Sequence, residues 1–187
     1  ENAPDKRLDS INNIANSEKV IPTSMSFVDI AGLVKGASQG EGLGNAFLSN
    51  IREMNALLHV VRCFDDENVV HVDGAINPLK DVETINLELI ISDLEVLEKR
   101  VQKLEKLIRS GDKDAIKHKD IIQILKGLME NGNLPRLDNF QPEEIKFVDS
   151  LNLLSTKPMV LVANLSDDES KNNIDDLNNY AKKLSHI

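Results

Sequence analysis

Residues 27–33 read Phe-Val-Asp-Ile-Ala-Gly-Leu, and they combine a short apolar strand pattern with an Asp and a Gly in the spacing Asp-x-x-Gly. The pattern predicts a buried strand over Met25–Ile30 that delivers Asp29 and Gly32 into the loop that follows. That loop, residues 34–45, reads Val-Lys-Gly-Ala-Ser-Gln-Gly-Glu-Gly-Leu-Gly-Asn and is too rich in glycine to pack by itself. A carboxylate and a glycine amide at a strand end are suited to a metal ion and a phosphate.

An Asp-x-x-Gly at the end of a strand, before a mobile loop, is how P-loop nucleotide hydrolases sense a γ-phosphate. In that arrangement the Asp serves Mg²⁺ and the Gly amide donates to the phosphate. The tetrapeptide alone is weak evidence, since it occurs by chance about once in a few hundred residues. The long glycine-spaced continuation makes the interpretation stronger.

Two further apolar runs predict strands. Residues 56–64, Ala-Leu-Leu-His-Val-Val-Arg-Cys-Phe, are nearly continuous in apolar character, as in a strand buried on both faces of a parallel sheet. Residues 159–163, Met-Val-Leu-Val-Ala, form the third such run. Helical patterns separate the runs, among them one over Asn45–Met54, so the sequence predicts an α/β fold with a parallel sheet.

The segment between the second and third strands has a different pattern. Apolar residues recur every three or four positions, which predicts a heptad seam over three repeats. A turn at Ser110-Gly111-Asp112 separates it from a second helical stretch that ends near Asn131. We therefore expect an antiparallel coiled-coil hairpin inserted into the α/β domain. Its predicted seam consists of Leu87, Ile90, Leu94, Leu97, Val101, Leu104 and Ile108, with Ile121, Ile124 and Leu128 on the second helix.

The charge of this hairpin differs from that of the rest of the chain. The whole chain has a formal net charge of −9, whereas the stretch 99–126 holds nine basic and four acidic residues. Two interpretations remain open: a solvated helical surface, or a basic arm that contacts the phosphates of structured RNA through Lys103, Lys106 and Lys113. Such contacts would not read a sequence, so sequence-specific DNA binding is not expected.

Composition excludes several classes of function. Aromatic residues make up 3% of the chain and Trp is absent, which argues against a base-stacking platform. A single Cys excludes an internal disulfide and Cys-rich metal sites. No apolar run is long enough to span a bilayer and no signal-peptide pattern is present, so we expect a soluble cytoplasmic protein without membrane contact.

The third strand ends in Asn164-Leu165-Ser166-Asp167. Parallel sheets bind ligands at the carboxyl ends of their strands. In G-proteins this position holds Asn-Lys-x-Asp, which recognises guanine, and here Leu165 replaces the Lys. These residue types also favour a plain turn, which is the better interpretation of the tetrapeptide alone. Together with Asp29 and Gly32 on another strand, the nucleotide-binding interpretation is favoured.

With these residues in place, the chain resembles the YchF family of translation-factor-class P-loop NTPases, also called Obg-like ATPases. The resemblance is carried by residues 27–45 and continues through 50–53, 59–64, 77–79 and 83–86. It implies a Ras-like G domain with a parallel sheet, divided into residues 1–79 and 135–187, with an α-helical coiled-coil hairpin inserted at 80–134. It also implies a nucleotide-dependent switch with slow ATP or GTP hydrolysis, linked to the ribosome or translation.

The resemblance implies roles for individual residues. Asp29 corresponds to the switch aspartate that holds Mg²⁺, usually through water, and Gly32 to the glycine whose amide meets the γ-phosphate; these two are the catalytic candidates. Leu33 occupies the position where Ras-like enzymes place a water-orienting Gln, so hydrolysis is expected to be slow. Asn164, Leu165 and Asp167 correspond to the base-reading motif, which in the family is Asn-x-x-Glu and is associated with ATP. The switch loop would comprise Leu33, Gly36, Gly40, Gly42 and Gly44.

Two departures limit this correspondence. Asp167 stands where the family has Glu, and an Asp is what guanine recognition uses, so ATP and GTP both stay open. No Gly-x-x-x-x-Gly-Lys-Ser/Thr occurs in the sequence. The resemblance implies that this loop lies upstream and a ubiquitin-like TGS domain downstream, so we expect the chain alone to bind nucleotide weakly or not at all. The alternative function is a non-catalytic RNA- or protein-binding module that uses the basic hairpin.

Other chemistry is not indicated. The four His residues are scattered, without Cys or carboxylates at metal-ligand spacing. His59, in a predicted buried strand, is interpreted as a core residue, and Cys63 as a small buried hydrophobe. No nucleophile is assigned.

Overall fold

The computed structural model describes residues 3, 5–30, 43–65, 76–168 and 174–185. By its internal contacts the chain divides into two compact units, Glu1–Ala31 and Gly32–Ile187, which are described separately. In the described part of the chain, no helix is both long enough and apolar enough to cross a membrane.

The first unit contains one helix, α1 (Lys6–Ala15). Asp5 caps it by accepting a hydrogen bond from the Arg7 amide, and Asn16 ends it in the left-handed region at φ 45°. The predicted strand over Met25–Ile30 is wrong: these residues have no assigned strand, and Phe27 and Val28 are 60% and 57% exposed. An apolar run becomes a buried strand only where neighbouring strands pair with it.

The second unit contains a two-stranded parallel sheet formed by β1 (Leu57–Arg62) and β2 (Met159–Asn164). The register runs from Leu57↔Met159 to Arg62↔Asn164. Both strands and their parallel pairing were predicted, and both predictions are confirmed.

Burial on both faces of this sheet is not observed. On one face Val61, and Cys63 just after β1, pack against Val82 and Leu177 of the covering helices. The opposite face carries four exposed apolar residues, 38–62% exposed, because side chains alternate along a strand and the helices cover one side. These residues are Leu58, Val60, Val160 and Val162.

Two long helices form a hairpin, α3 (Pro78–Arg109) and α4 (Lys113–Glu130). Asn77 caps α3 and Asp112 caps α4, and Gly111 makes the turn between them at φ +90°. Ion pairs join Glu105 to Lys119 and Glu98 to Lys126. A step of seven residues towards the start of α3 therefore corresponds to a step of seven residues towards the end of α4. The helices therefore run antiparallel, as predicted, and α3 begins two residues before the expected boundary at 80.

The seam of α3 largely follows the prediction. Ile90, Leu97 and Leu104 are buried, with Leu94, Val101 and Ile108 packed against the same core. Leu87 does not belong to the seam, since it is 50% exposed.

The seam predicted for α4 is only partly confirmed: of its three residues, Ile121 is buried in the core. Ile124 is 56% exposed, and Leu128 is only partly buried. The helix instead packs through a stripe at spacings of three and four residues, because two adjacent apolar pairs, 121–122 and 124–125, allow either phase. The residues of this stripe are Ala115, His118, Ile122, Leu125 and Met129.

The remaining helices are α2 (Leu43–Arg52), α5 (Pro142–Ser150) and α6 (Asp175–Ser185). The helix predicted over Asn45–Met54 exists, with Leu48 and Ile51 buried, but it begins earlier. A capping box between Gln141 and Glu144 marks the start of α5. Leu177 of α6 packs on the sheet.

Candidate functional site

The carboxyl end of β2 carries the predicted base-reading residues. Asn164 is the last residue of the strand, and its carbonyl accepts a hydrogen bond of 2.9 Å from the Cys63 amide. Beyond it the chain turns, with the Asp168 amide donating to the Ser166 hydroxyl at 3.2 Å. Asn164 and Asp167 are exposed, and Leu165 is 47% exposed. These side chains therefore lie at the sheet edge where parallel sheets bind ligands, open to an incoming group.

A basic residue, Arg62, lies at the same end of the sheet, next to Asn164. Arg62 pairs with Asn164 in the register, at the end of β1. Its Nε donates to the Phe64 carbonyl at 3.1 Å, and its guanidinium lies 4.9 Å from the centre of the Phe64 ring. Arg62 is not among the site residues predicted from the sequence.

The predicted phosphate-sensing residues are only partly described. Asp29 is exposed in the first unit. Gly32, Leu33, Gly36, Gly40 and Gly42 lie outside the described residues. Within the described ranges, no group of three or more His, Cys, Asp or Glu could hold a metal ion. An exposed carboxylate such as Asp29 suits a Mg²⁺ ion held through water, so its chemistry fits the ion, although it supplies one ligand only.

Gly44 lies in the first turn of α2 (Leu43–Arg52), and its assignment to the switch loop stays a prediction. In the sequence, Leu43 continues the four-residue spacing of Phe47 and Ile51, which extends the helical pattern past Gly44. A glycine weakens a helix but is tolerated in its first turn.

The buried face of the sheet holds two groups that chemistry could use. Burial lowers the pKa of His59, with Asp81 acting in the opposite direction, and within the described residues His59 Nδ1 has no partner. Burial raises the pKa of the Cys63 thiol, whose Sγ donates to the Val61 carbonyl at 3.4 Å. Both residues favour their neutral forms, as expected of core residues rather than of catalytic ones.

A polar cluster that was not predicted from the sequence lies where α2, α3 and the segment before β2 meet, with Asp93 and Ser155 buried at its centre. We call it the Asp93 cluster; it consists of Arg52, Ser92, Asp93, Asn152, Leu154, Ser155 and Lys157. Asp93, with no exposed surface, accepts from the amides of Leu154 (2.9 Å) and Ser155 (2.7 Å). It also accepts from the Ser155 hydroxyl at 2.7 Å. Burial raises the pKa of the Asp93 carboxyl, while these donors and Arg52 act in the opposite direction.

Two basic side chains, those of Arg52 and Lys157, complete the Asp93 cluster. Arg52, the last residue of α2, reaches Asp93 Oδ1 at 3.4 Å and donates at 2.9 Å to both the Asn152 carbonyl and the Ser92 hydroxyl. Lys157 Nζ donates to the carbonyls of Arg52 (3.0 Å) and Met54 (2.8 Å), which caps the carboxyl end of α2. Lys157 also donates to Asn152 Oδ1 at 3.1 Å. The sequence signal for this cluster is an Asp at position 93, in helical spacing with the buried Ile90 and Leu97.

The three lysines proposed to contact nucleic acid are all exposed on the hairpin. Lys103 and Lys106 lie on α3, and Lys113 is the first residue of α4. Other basic residues there are partly neutralised, since Lys119 lies 2.9 Å from Glu105 and Lys126 lies 3.6 Å from Glu98. No ion pair is found for Lys103, Lys106 or Lys113 with another described residue.

Comparison with known proteins gives a consistent family. A family model described as "50S ribosome-binding GTPase" matches residues 9–165. The chain is 49% identical over 166 residues to the "Ribosome-binding ATPase YchF" of Bacillus subtilis, covering 89% of this chain and 45% of that protein. It is 43% identical over 186 residues to the protein of the same name from Escherichia coli O157:H7, covering 98% of this chain and 51% of that protein.

A solved structure is similar as well. The structure described as the Schizosaccharomyces pombe YchF GTPase matches with a TM-score of 0.76 and 33% identity, covering 99% of this chain and 51% of that chain. The chain thus spans about half the length of the relatives that it matches.

Proposed function

Because the chain belongs to the YchF family of P-loop NTPases, we propose that it is part of a nucleotide-dependent switch that hydrolyses ATP or GTP slowly and acts at the ribosome. The observation that carries this proposal is the position of Asn164 and Asp167, exposed at the carboxyl end of a parallel strand pair. There an amide and a carboxylate can read a nucleotide base by hydrogen bonding. The ribosome link comes from the names of the relatives, which are called ribosome-binding ATPases. Action at the ribosome would place the protein in the cytoplasm.

In this proposal Asp29 contributes to a Mg²⁺ site through water, and Gly32 donates its amide to the γ-phosphate. The metal ion would neutralise charge on the phosphates when bound. Leu33 has an apolar side chain that cannot orient a water molecule by hydrogen bonding, so hydrolysis is slow unless another group does so. Leu33 and the glycines at 36, 40 and 42 would form the segment that responds to the phosphate.

Base choice depends on Asp167 and Leu165. The relatives are named ATPases, yet the carboxylate of Asp167 could also accept from guanine. The apolar Leu165 cannot supply the Lys found in the guanine-reading motif. We propose that ATP is preferred and that an Asp167→Glu change increases the preference further.

The sequence contains no Gly-x-x-x-x-Gly-Lys-Ser/Thr loop. The backbone amides and the Lys of such a loop bind the phosphates of the nucleotide. We therefore propose that residues 1–187 alone bind nucleotide weakly and hydrolyse it poorly.

The test is an equilibrium titration of the full-length protein with ATP and with GTP, with and without Mg²⁺. Saturable binding that strengthens with Mg²⁺, and loses that dependence in Asp29→Ala, supports the switch. If neither nucleotide binds in the presence of Mg²⁺, the switch is refuted and the binding-module function below is favoured. Asp9→Ala, an exposed carboxylate of α1, is the matched control.

The second candidate function is binding of ribosomal or other structured RNA by the hairpin, proposed as an insertion at 80–134 between nucleotide-domain parts 1–79 and 135–187. It is favoured by the exposure of Lys103, Lys106 and Lys113 on an acidic chain. Phosphate contacts would contribute most of the affinity and would make it salt-dependent.

This function is tested by changing the three hairpin lysines to Gln and measuring ribosome or RNA association across a salt series. The expected result is weaker binding with a shallower salt dependence, by about one counterion per lost contact. The charge-matched control changes Lys6, Lys19 and Lys146, which are exposed outside the hairpin. Equal losses in both triple variants would show that net charge, not the hairpin, decides binding.

A further inference from the structure

The Asp93 cluster joins three parts of the second unit at one point. Asp93 lies in the middle of α3, so the cluster belongs to the hairpin. Arg52 and Lys157 bring in the carboxyl end of α2. Ser155 belongs to the segment that leads into β2, which begins at Met159 and ends at Asn164.

A second contact fixes the hairpin further along its length. The Phe147 ring of α5 stacks on His118 of α4, with ring centres 3.9 Å apart and planes at 7°. Arg100 of α3 lies over the same ring at 5.9 Å. Both helices of the hairpin therefore contact α5, which precedes the segment of Ser155. The two contacts on α3, at Asp93 and Arg100, lie about 10 Å apart along the helix.

The first turns of α3 are already held, because Val82 packs on the sheet and Asn86 donates to the Tyr180 hydroxyl of α6 at 3.0 Å. The contacts at Asp93 and Arg100 hold the helix further along, where a hinge would otherwise be left. The Asp93 cluster is also costly in free energy, since the fully buried carboxylate of Asp93 loses its hydration. An apolar side chain of similar volume often stabilises such a position as well or better. A buried, fully bonded carboxylate instead favours one geometry, because its donors must all be in place.

We propose that the Asp93 cluster holds the hairpin in one fixed orientation relative to the sheet and to the turn at Asn164–Asp167. The hairpin and the Asn164–Asp167 turn then move as one rigid body. Asp93, Arg52 and Lys157 act as positioning residues. A partner on the hairpin and a nucleotide at the edge of β2 would keep a constant relative position in every nucleotide state. Only this last consequence rests on the proposed function; the rigidity is a property of the chain itself.

The test is a distance distribution between two spin labels in the full-length protein. Gln123 on α4 and Asn178 on α6 are exposed and can be changed to Cys, while the native Cys63 is fully buried and stays unlabelled. The expected result is a single narrow distribution, the same without nucleotide and with bound ATP or ADP. Asp93→Asn should broaden it, because the new amide group faces backbone donors.

Two further variants keep the test decisive. Ser155→Ala removes one hydrogen bond to Asp93 and should broaden the distance distribution less than Asp93→Asn. It provides the test if Asp93→Asn fails to fold. Lys126→Gln breaks an ion pair of the same hairpin outside the cluster, and should leave the distribution unchanged. A broad distribution in the unmodified protein, a shift on nucleotide binding, or equal effects of Ser155→Ala and Lys126→Gln would overturn the proposal. A protein that binds no nucleotide but gives a narrow distribution would refute the switch and leave the rigid hairpin standing.

Discussion

The buried carboxylate of Asp93 accepts two hydrogen bonds of 2.7 Å from Ser155, one from its amide and one from its hydroxyl. These two residues lie on different elements and are far apart in the sequence, so their contact fixes the hairpin helix α3 against the start of β2.

Removing the carboxylate should be far more costly than removing the hydroxyl. Asp93→Asn replaces one acceptor by a donor that faces backbone amides, so we expect a loss of about 3–5 kcal/mol in the free energy of unfolding. Ser155→Ala keeps both amide bonds and should cost about 1–2 kcal/mol. Urea unfolding of the two variants measures both values; equal costs would show that the hydroxyl, not the charge, holds the cluster.

The phase of the α4 seam is tested by two neighbouring residues. Leu125 is fully buried and Ile124 is 56% exposed. Leu125→Ala should therefore lower the free energy of unfolding by about 2–5 kcal/mol through a cavity. Ile124→Ala should change it by about 0.5 kcal/mol or less. The opposite order in thermal or urea unfolding would restore the phase predicted from the sequence.

Two glycines of the hairpin should respond in opposite directions to the same change. Gly111 has φ +90°, where a Cβ is strained, so Gly111→Ala should destabilise by about 1 kcal/mol or more. Gly127 lies within α4 with open space around its Cα, so Gly127→Ala should stabilise by about 0.5–1 kcal/mol. Each variant is the control of the other, and two shifts of the same sign in the melting temperature would contradict the account.

His59 should make stability depend on pH. Burial lowers its pKa below the ordinary value of 6.5, so between the folded pKa and 6.5 the unfolded chain binds the extra proton. The free energy of unfolding therefore falls as the pH falls from 6.5 to the pKa of His59 in the folded protein. Below that pH, His59 makes no further contribution to the change. His59→Leu should flatten that part of the profile, measured by urea unfolding at a series of pH values. An unchanged slope would show that other groups cause the pH dependence.

Much of the fold could be predicted because local patterns agreed with the final packing. The β1 and β2 runs and the Gly111 turn each depend on residues close in sequence. The errors come from information that local patterns do not contain. An apolar run does not say which neighbours cover it, so the exposure of Phe27 and Val60 was missed.

The candidate site divides in the same way. Asn164 and Asp167 could be placed because a strand end and a motif coincide in the sequence. The Asp93 cluster could not, because its partners lie 41 to 62 positions away and no short motif links them. In the sequence, Asp93 has the pattern of an ordinary polar residue on a helix. Arg52 and Ser155 come into contact with it only in the folded chain.

We propose above that Asn164 and Asp167 read a nucleotide base at the end of β2. The most direct test of this proposal is ATP and GTP binding by the full-length protein, unmodified and as Asp167→Ala, with the exposed Asp149→Ala as matched control. The account predicts that Asp167→Ala weakens binding of the preferred nucleotide by about tenfold or more, since a hydrogen bond to a charged group contributes about 1.5–3 kcal/mol. Asp149→Ala should leave binding unchanged. Equal affinities for the preferred nucleotide in all three proteins would contradict the account.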